Sequence, residues 1–199
     1  MTRLSSVILL IAGSATPVLA QDRPVFEITP NVGYIVFGDL WQGPVGTRLT
    51  NGNGAFYGVQ GAVNLTNAFA ITASVGQART DLSIGVPILG GLDVGDSETT
   101  LYDAGIQLQF PGRTTRPFVQ AGAGMASYRL RVGPIEVDAS NPAFHIGAGI
   151  DMDLSRSVGL RIQARDYIGR FDFADAILYD LQSETAHNLA LTVGLRVGF

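Results

Sequence analysis

The sequence predicts an all-β fold, and three observations support that prediction. Apolar residues alternate with polar or small ones over segments of about ten residues, the period of strands with two unlike faces. The 25 glycines and the 15% of charged residues are typical of a turn-rich β chain. The connections between segments are alternately long and short. Together these features predict an eight-stranded antiparallel up-and-down transmembrane β-barrel, with both termini on the short-turn side.

The N-terminal segment predicts export. Arg3 gives a positive start, Leu4 to Ile11 form an apolar core, and Val18 to Ala20 provide a small-residue cleavage site. The apolar run is too short to cross a membrane as a helix. We therefore expect residues 1–20 to be a signal peptide and residues 21–199 to form the barrel domain.

Composition excludes several kinds of function. The chain has no cysteine, which excludes disulfides, thiolate metal sites and a cysteine nucleophile. Its net charge of −4 provides no basic surface for nucleic acid. No later segment approaches the roughly 20 apolar residues of a membrane helix, so strands must make any membrane span.

The last segment, His187 to Phe199, shows the alternation most clearly. One parity carries small or polar residues, and the other carries aliphatic residues and a terminal aromatic. The apolar parity consists of Leu189, Leu191, Val193, Leu195, Val197 and Phe199. This pattern suits a strand that faces lipid on one side and a polar lumen on the other.

Seven earlier segments repeat the pattern and complete the eight strands. They begin near Phe26, Phe56, Phe69, Tyr102, Pro117, Phe144 and Val158. Residues 38–54 and 168–186 are predicted to be long loops. Between the third and fourth segments, Gly90-Gly91 is predicted to be the two-residue turn of a hairpin that projects beyond the membrane.

A second projecting hairpin is predicted inside the fifth connection. Gly133-Pro134 is its expected turn, which would set Arg131 opposite Glu136 and Arg129 opposite Asp138. Exposed pairs of this kind contribute at most about 1 kcal/mol each, so they argue for register rather than for stability.

Charged residues on the polar parity point into the predicted lumen. Buried charges must be paired or hydrated, so we expect them to form a network. Its predicted members are Glu27, Asp103, Asp151, Arg161, Arg165 and Arg196. Glu27 and Arg196 lie near the same end of the first and last strands, which are neighbours in a closed barrel, so we expect them to meet across the seam.

Inward glycines at positions 122, 124, 147 and 149 leave two alternatives for the centre of the barrel. They could leave a cavity for one small ligand, or they could make room for large neighbours such as Phe118 and Tyr128. We favour the second alternative, because the inward charges need partners.

Three stretches resemble those of known barrels: Pro117 to Gly124, Gly147 to Asp151, and the C-terminal apolar series. The chain from about residue 24 to 199 resembles the small outer-membrane β-barrels, a group that includes the barrel domain of the outer-membrane protein A family and the opacity-type porins. The resemblance implies a bacterial outer-membrane location. Longer members of the group append a peptidoglycan-binding domain, and this chain is expected to lack that anchoring function.

The resemblance also implies partners. The residues Leu191, Val193, Leu195, Val197 and Phe199 resemble the sorting signal that the barrel assembly machinery reads. Outer-membrane lipid is the expected surrounding, and a surface ligand or host factor is the expected partner of the loops. The leading function is therefore a structural or surface-interaction barrel with a side-chain-filled polar lumen. A narrow pore or a carrier for small solutes is the alternative.

A lipid-modifying enzyme is the least favoured hypothesis. Its candidate residues are His187, with Ser183 and Glu184 in the preceding loop, and the inward His145. We expect His187 to be a polar residue at the membrane boundary and His145 to be a packing residue in the lumen, so no enzymatic activity is predicted. The loop aspartates at 93, 96, 172, 175 and 180 lack the spacing of a calcium-binding loop, and neither a metal nor a cofactor is predicted.

Overall fold

The computed structural model describes residues 24–42, 48–51, 53–86, 90–110, 112, 114–132, 135–170 and 185–199. These residues form strands and turns. Among them, no helix has the length and apolarity needed to cross a bilayer. The predicted signal peptide and residues 171–184 of the predicted last loop lie outside the described residues.

Ten strands form one antiparallel sheet. They are β1 (Phe26–Val36), β2 (Asp39–Gln42), β3 (Arg48–Asn51), β4 (Gly54–Asn64), β5 (Phe69–Val86), β6 (Gly90–Gln109), β7 (Thr115–Val132), β8 (Ile135–Asp153), β9 (Val158–Arg170) and β10 (Thr185–Gly198). Eight of these, β1 and β4 to β10, build the barrel. This confirms the predicted fold and strand number.

The other two strands correct the prediction of a loop over residues 38–54. β2 and β3 form a short hairpin in this stretch, and β3 pairs with residues 82–85 of β5. β5 extends past its pairing with β4, which ends at Ala78 opposite Phe56. The extension leaves backbone N–H and C=O groups exposed along one edge, and β3 pairs with those of residues 82–85.

The sheet closes into a barrel. Each strand from β4 to β10 pairs antiparallel with the next along the chain, and β1 pairs with both β4 and β10. Closure pairs the backbone groups that an open sheet would expose in hydrocarbon.

The register around the barrel sets its stagger. Paired residues starting at Ile150 of β8 lead through β9, β10, β1, β4, β5, β6 and β7 and return to β8 at Ser140. The circuit thus moves from position 150 to position 140, ten residues along one strand. With a rise of about 3.3 Å per residue and eight strands about 4.8 Å apart, this stagger corresponds to a strand tilt of about 40°.

Burial alternates along the strands with the predicted parity. Val32, Phe144 and Leu191 are 65%, 64% and 52% exposed, although they are large and apolar. Thr192, next to Leu191, is 5% exposed. The outer surface is therefore a broad apolar band of the kind that faces lipid.

Pro30 interrupts one ladder of the barrel. The pairing of β1 with β10 runs from Glu27 opposite Gly198 to Val36 opposite Leu189, but within these two strands it skips Thr29 and Pro30. Proline has no N–H to donate, so its position in a closed sheet leaves a local gap in the ladder.

Both projecting hairpins are present. β5 and β6 pair from Phe69 opposite Leu108 to Val86 opposite Gly90. β7 and β8 pair as far as Val132 opposite Ile135. Their ladder sets Arg131 opposite Glu136 and Arg129 opposite Asp138, which confirms the predicted register.

The predicted turn at Gly90-Gly91 is wrong. Gly90 lies opposite Val86 and Gly91 opposite Gly85, so both glycines belong to β6. Residues 87–89, between the two strands, lie outside the described residues. A two-residue turn at 90–91 would shift the pairing of β5 with β6 within the barrel by four residues. Phe69 would then lie opposite residue 112 and not Leu108, beyond the end of β6. Pairing within the barrel therefore overrides the local turn signal.

The termini of the barrel lie beside its short turns, as predicted. Phe199 N donates to Phe26 O at 2.8 Å, which joins the start of β1 to the end of β10. In the turn between β4 and β5, Thr66 Oγ1 accepts hydrogen bonds from the backbone N–H groups of Ala68 and Phe69. Short turns are typical of the periplasmic side of outer-membrane barrels.

Candidate functional site in the lumen

Arg196 lies at the seam where β10 meets β1, at the short-turn end of the lumen. Its Nη1 donates to Glu27 Oε1 at 2.7 Å, and its Nη2 donates to Asp153 Oδ1. Arg116 Nη2 donates to the same oxygen of Asp153. Arg196 and Glu27 are 0% and 2% exposed, so the seam buries paired charges.

Arg161 forms a second buried ion pair one level further in. β8 and β9 place it directly opposite Asp151. Its Nε and Nη2 donate to the two carboxylate oxygens at 2.7 and 2.8 Å, the bidentate geometry that suits a guanidinium. The guanidinium carbon lies 4.6 Å from the ring centroid of Phe118, within the range of a cation–π contact.

A layer of glutamines crosses the middle of the lumen. Gln60 Nε2 donates to Gln120 Oε1 at 3.5 Å, and Gln120 Nε2 donates to Gln163 Oε1 at 3.4 Å. The three side chains come from β4, β7 and β9, and each is at most 4% exposed. These neutral amides connect opposite walls of the barrel.

Arg165 is the centre of the third charged cluster. Its Nη1 donates to Ser74 Oγ at 2.7 Å and to Tyr167 Oη at 3.1 Å, and it lies 3.4 Å from Asp103 Oδ2. Its Nη2 donates to Gln60 Oε1 at 2.5 Å. Four side chains from four strands therefore meet at the guanidinium of Arg165, whose side chain is 6% exposed.

His145 packs against this cluster. It is 1% exposed, its Nδ1 lies 3.6 Å from Asp103 Oδ1, and its ring centroid lies 5.7 Å from that of Tyr167 at an angle of 54°. The side chain therefore occupies the lumen and has no access to solvent. The structure places it where the sequence predicted a packing residue.

Each predicted member of the lumen network thus lies within an ion pair. Arg196 meets Glu27, Arg161 meets Asp151, and Arg165 meets Asp103. The glutamine layer separates the last pair from the other two.

Above Arg165, on the hairpin side, the lumen is filled by apolar and aromatic side chains. Their main members are Ile35, Phe37, Phe56, Leu101, Tyr128 and Tyr167, all at most 6% exposed. This end is therefore more apolar than the polar lumen that was expected, although Thr99, Asn141 and Asn188 are buried at the same levels of the ladder. The sequence interpretation started the fourth strand at Tyr102 and so left the inward Leu101 outside it.

The inward glycines make room for large neighbours, the favoured of the two alternatives. A Cβ on Gly149 would lie 2.5 Å from the Phe118 ring, and a Cβ on Gly122 would lie 2.6 Å from the His145 ring. A cavity of about 10 Å³ beside Arg165 has room for about one water molecule. The lumen is packed from the seam to the apolar layer.

His187 lies on the outside of the barrel and not in the lumen. Its Nδ1 is 2.8 Å from Asp166 Oδ2, and its side chain is 61% exposed. Ser183 and Glu184 lie outside the described residues. The hypothesis of catalysis at His187 thus gains a half-buried carboxylate partner, Asp166, but no nucleophile among the described residues.

The described part of the chain contains no cluster of three or more His, Asp or Glu side chains that could hold a metal ion. The side chains of the aspartates at 93, 96, 172, 175 and 180 are not described. The prediction about these loop aspartates therefore remains a prediction.

Sequence reasoning missed several members of the lumen clusters. Asp153 and Arg116 were assigned to turns, but they share the inward parity of Asp151 and Phe118. Extending the alternation by two residues at each strand end would have found them. Ser74 was assigned the correct face, but nothing in the sequence predicted its contact with Arg165.

Comparison with known protein families agrees with this architecture. The profile of the outer membrane protein beta-barrel domain matches residues 5–199. The chain belongs to this family. Membership of the outer-membrane barrel family confirms the predicted location in the bacterial outer membrane. A search among curated proteins gives no match.

Solved outer-membrane barrels share this fold. Neisserial surface protein A is 11% identical, with a TM-score of 0.63 over 87% of this chain and 97% of that one. OprG from Pseudomonas aeruginosa is 9% identical, with a TM-score of 0.53 over 89% and 98%. Ail, the attachment invasion locus protein of Yersinia pestis, in complex with the heparin analogue sucrose octasulfate, is 15% identical, with a TM-score of 0.51 over 86% and 98%. These similarities concern the fold.

Proposed function

We propose that this outer-membrane barrel has a structural and surface-interaction role and that its lumen does not conduct. The packed lumen carries the proposal. Arg196 and Glu27 fill the short-turn end, and Phe56 and Leu101 belong to the layer that fills the hairpin end. A narrow pore or a solute carrier needs a continuous path, whereas the cavity beside Arg165 has only about 10 Å³.

The projecting hairpins are the proposed interaction surface. β5 to β8 are 18 to 20 residues long, against 11 for β1 and β4, so they extend beyond the rest of the wall on the side away from the short turns. Arg129 and Asp138 form an exposed ion pair on this extension. Similar barrels are by name a surface protein and an attachment invasion locus protein. We propose a surface ligand or a host factor as the partner.

Lipid and the barrel assembly machinery are the other proposed partners. The proposed assembly signal consists of Leu191, Val193, Leu195, Val197 and Phe199. Phe199 is 70% exposed, and β1 holds its backbone at the short-turn end. The signal therefore presents an aromatic side chain at the membrane–water boundary, where aromatic girdles lie in such barrels.

Bilayer recordings test the sealed lumen. The wild-type barrel should give no current steps, whereas a variant with Phe56→Ala, Arg165→Ala and Arg196→Ala should give small steps because the hairpin end, the middle and the seam end of the filled region all lose bulk. Arg129→Ala, outside the lumen, is the matched control and should stay silent. Heat-modifiable migration on gels verifies that each variant is folded. Discrete steps from folded wild type would overturn the proposal.

A further inference from the structure

A cleft of about 770 Å³ opens on the outer wall of the barrel across β4 to β8. Most of its lining residues have outward parity, including Tyr57, Gln77, Thr100, Ser127 and Ser140. It lies on the hairpin side, away from the short turns. Asn31, Gly76 and Tyr128, which have inward parity, also line it, so the cleft reaches the boundary of the packed lumen. Its volume is in the range of small-molecule sites.

The strand register arranges the outward residues around the cleft in three tiers. The apolar tier consists of Val59, Val75, Tyr102 and Met125. The polar tier consists of Tyr57, Gln77, Thr100, Ser127 and Ser140. The charged tier consists of Arg79, Glu98, Arg129 and Asp138. The apolar tier continues the lipid-facing band, so the polar tier marks where hydrocarbon gives way to headgroups on this side.

Differences in side-chain size explain why a cleft forms at this position. Thr100, Ser127 and Ser140 are small and lie next to one another in the polar tier. Tyr57 borders them in the same tier, and Tyr102 lies directly below Thr100. Small side chains between large ones on a sheet leave a depression in its surface.

The walls of the cleft are held in place by hydrogen bonds. Tyr57 Oη donates to Gln77 Oε1, and Gln77 Nε2 donates to Glu98 Oε1. Ser127 Oγ and Ser140 Oγ are 2.5 Å apart. The polar tier thus presents a preorganised set of hydroxyl and amide groups that both donate and accept hydrogen bonds.

The charged tier is balanced. Arg129 Nε donates to Asp138 Oδ1 at 3.1 Å, and Arg79 Nε lies 3.8 Å from Glu98 Oε2. Two cations thus face two anions, and this tier gives no net attraction for a strongly anionic group. A ligand rich in neutral hydroxyls matches both tiers better than a phosphate does.

We propose that this cleft binds the saccharide headgroup of an outer-leaflet glycolipid. Its acyl chains lie along the apolar tier, in continuity with the lipid-facing surface, and its sugar hydroxyls exchange hydrogen bonds with the polar tier. Tyr102, at the upper edge of the apolar tier, packs against the boundary between chains and sugar. The site is a lipid contact on the outer wall, and the groups proposed to contact the lipid are outward side chains of the three tiers and not lumen residues.

Native mass spectrometry of the purified full-length barrel provides the test. The probes are a glycolipid with an uncharged disaccharide headgroup and a glycerophospholipid with the same acyl chains. We expect the glycolipid to bind with at least about tenfold higher affinity, as several hydrogen bonds to a preorganised site would give. Equal affinity for the two lipids, or a preference for the phospholipid, would overturn the proposal.

Two sets of variants locate the site. Thr100→Val, Ser127→Ala and Ser140→Ala together remove three hydroxyls with little change in volume and should weaken glycolipid binding about tenfold. Tyr57→Phe and Tyr34→Phe form a matched pair, because both tyrosines point outward but only Tyr57 lines the cleft. Tyr57→Phe should reduce binding and Tyr34→Phe should not. Unchanged binding in both the triple variant and Tyr57→Phe would refute the assignment.

Discussion

The buried pair between Arg161 and Asp151 provides the sharpest test of how the lumen stabilises the barrel. Asp151→Ala removes the carboxylate that accepts both hydrogen bonds from the guanidinium, at 2.7 and 2.8 Å. The two residues are 1% and 0% exposed. The variant therefore leaves a positive charge in a region that water does not reach.

The expected loss of stability follows from the burial of Arg161. Removing one partner of a buried ion pair costs about 3–5 kcal/mol, because the remaining charge stays desolvated. The Phe118 ring lies against the guanidinium in the wild type and in the variant, so the cation–π contact contributes little to the difference in stability between them. We expect Asp151→Ala to lower the free energy of unfolding by about 3 kcal/mol, or about two factors of ten in the folding equilibrium.

Replacing both partners should have a much smaller effect. Apolar side chains of similar size no longer require a desolvated charge, so Asp151→Leu with Arg161→Met should cost less than about 1 kcal/mol. Arg129 and Asp138 supply the control, because they form the same type of cross-strand pair but their side chains are 47% and 68% exposed. Asp138→Ala should cost at most about 1 kcal/mol.

Urea unfolding of the refolded barrel in lipid vesicles measures these differences. Circular dichroism follows the strands, and gel migration without heating reports the folded fraction. If Asp151→Ala costs no more than Asp138→Ala, or if the double replacement costs as much as the single one, the lumen is hydrated and the reasoning fails.

Two further predictions concern other parts of the barrel. Deleting Phe199 should lower the amount of protein in the outer membrane more than it changes the stability of barrel refolded in vitro, and normal membrane levels in fractionated cells would refute its role in assembly. Gly124→Val should destabilise by about 1–3 kcal/mol in urea unfolding, because a Cβ there overlaps the Tyr102 carbonyl oxygen and lies 2.7 Å from Asp103 Cα. Gly61→Ala is its control, with the nearest atom at 3.9 Å, and should change stability by less than about 1 kcal/mol; equal costs at the two glycines would contradict the steric argument.

The strand faces could be predicted because successive side chains of a strand point to opposite faces, so each residue faces either the lipid or the lumen. A shift of one residue in register would move Leu191 into the lumen and Thr192 into lipid. The apolar parity and the polar parity together therefore assign a face to every residue of the strand. The same alternation placed Glu27, Asp151 and Arg161 inside. Composition and period therefore sufficed for the fold and for the inward charges within the predicted strands, but not for Asp153 and Arg116 at the strand ends.

The partners of those charges could not all be predicted, because they depend on distances around the barrel and not along one strand. Arg196 also reaches Asp153, two strands away in the barrel. Arg165 contacts Gln60 and Ser74 across the lumen. These contacts depend on the ten-residue stagger of the barrel. That stagger is known only when the pairing of all eight strands is known.

The contact between Glu27 and Arg196 has a consequence for how the chain reaches its native state. The two residues are 169 positions apart in the sequence, and the strands that carry them are the first and the last of the barrel. The ion pair can form only when both the first and the last strand of the barrel are present. Until the final strand docks, Arg196 would face hydrocarbon or water, so neutralisation of its charge accompanies closure and favours completion over any half-built sheet in the membrane.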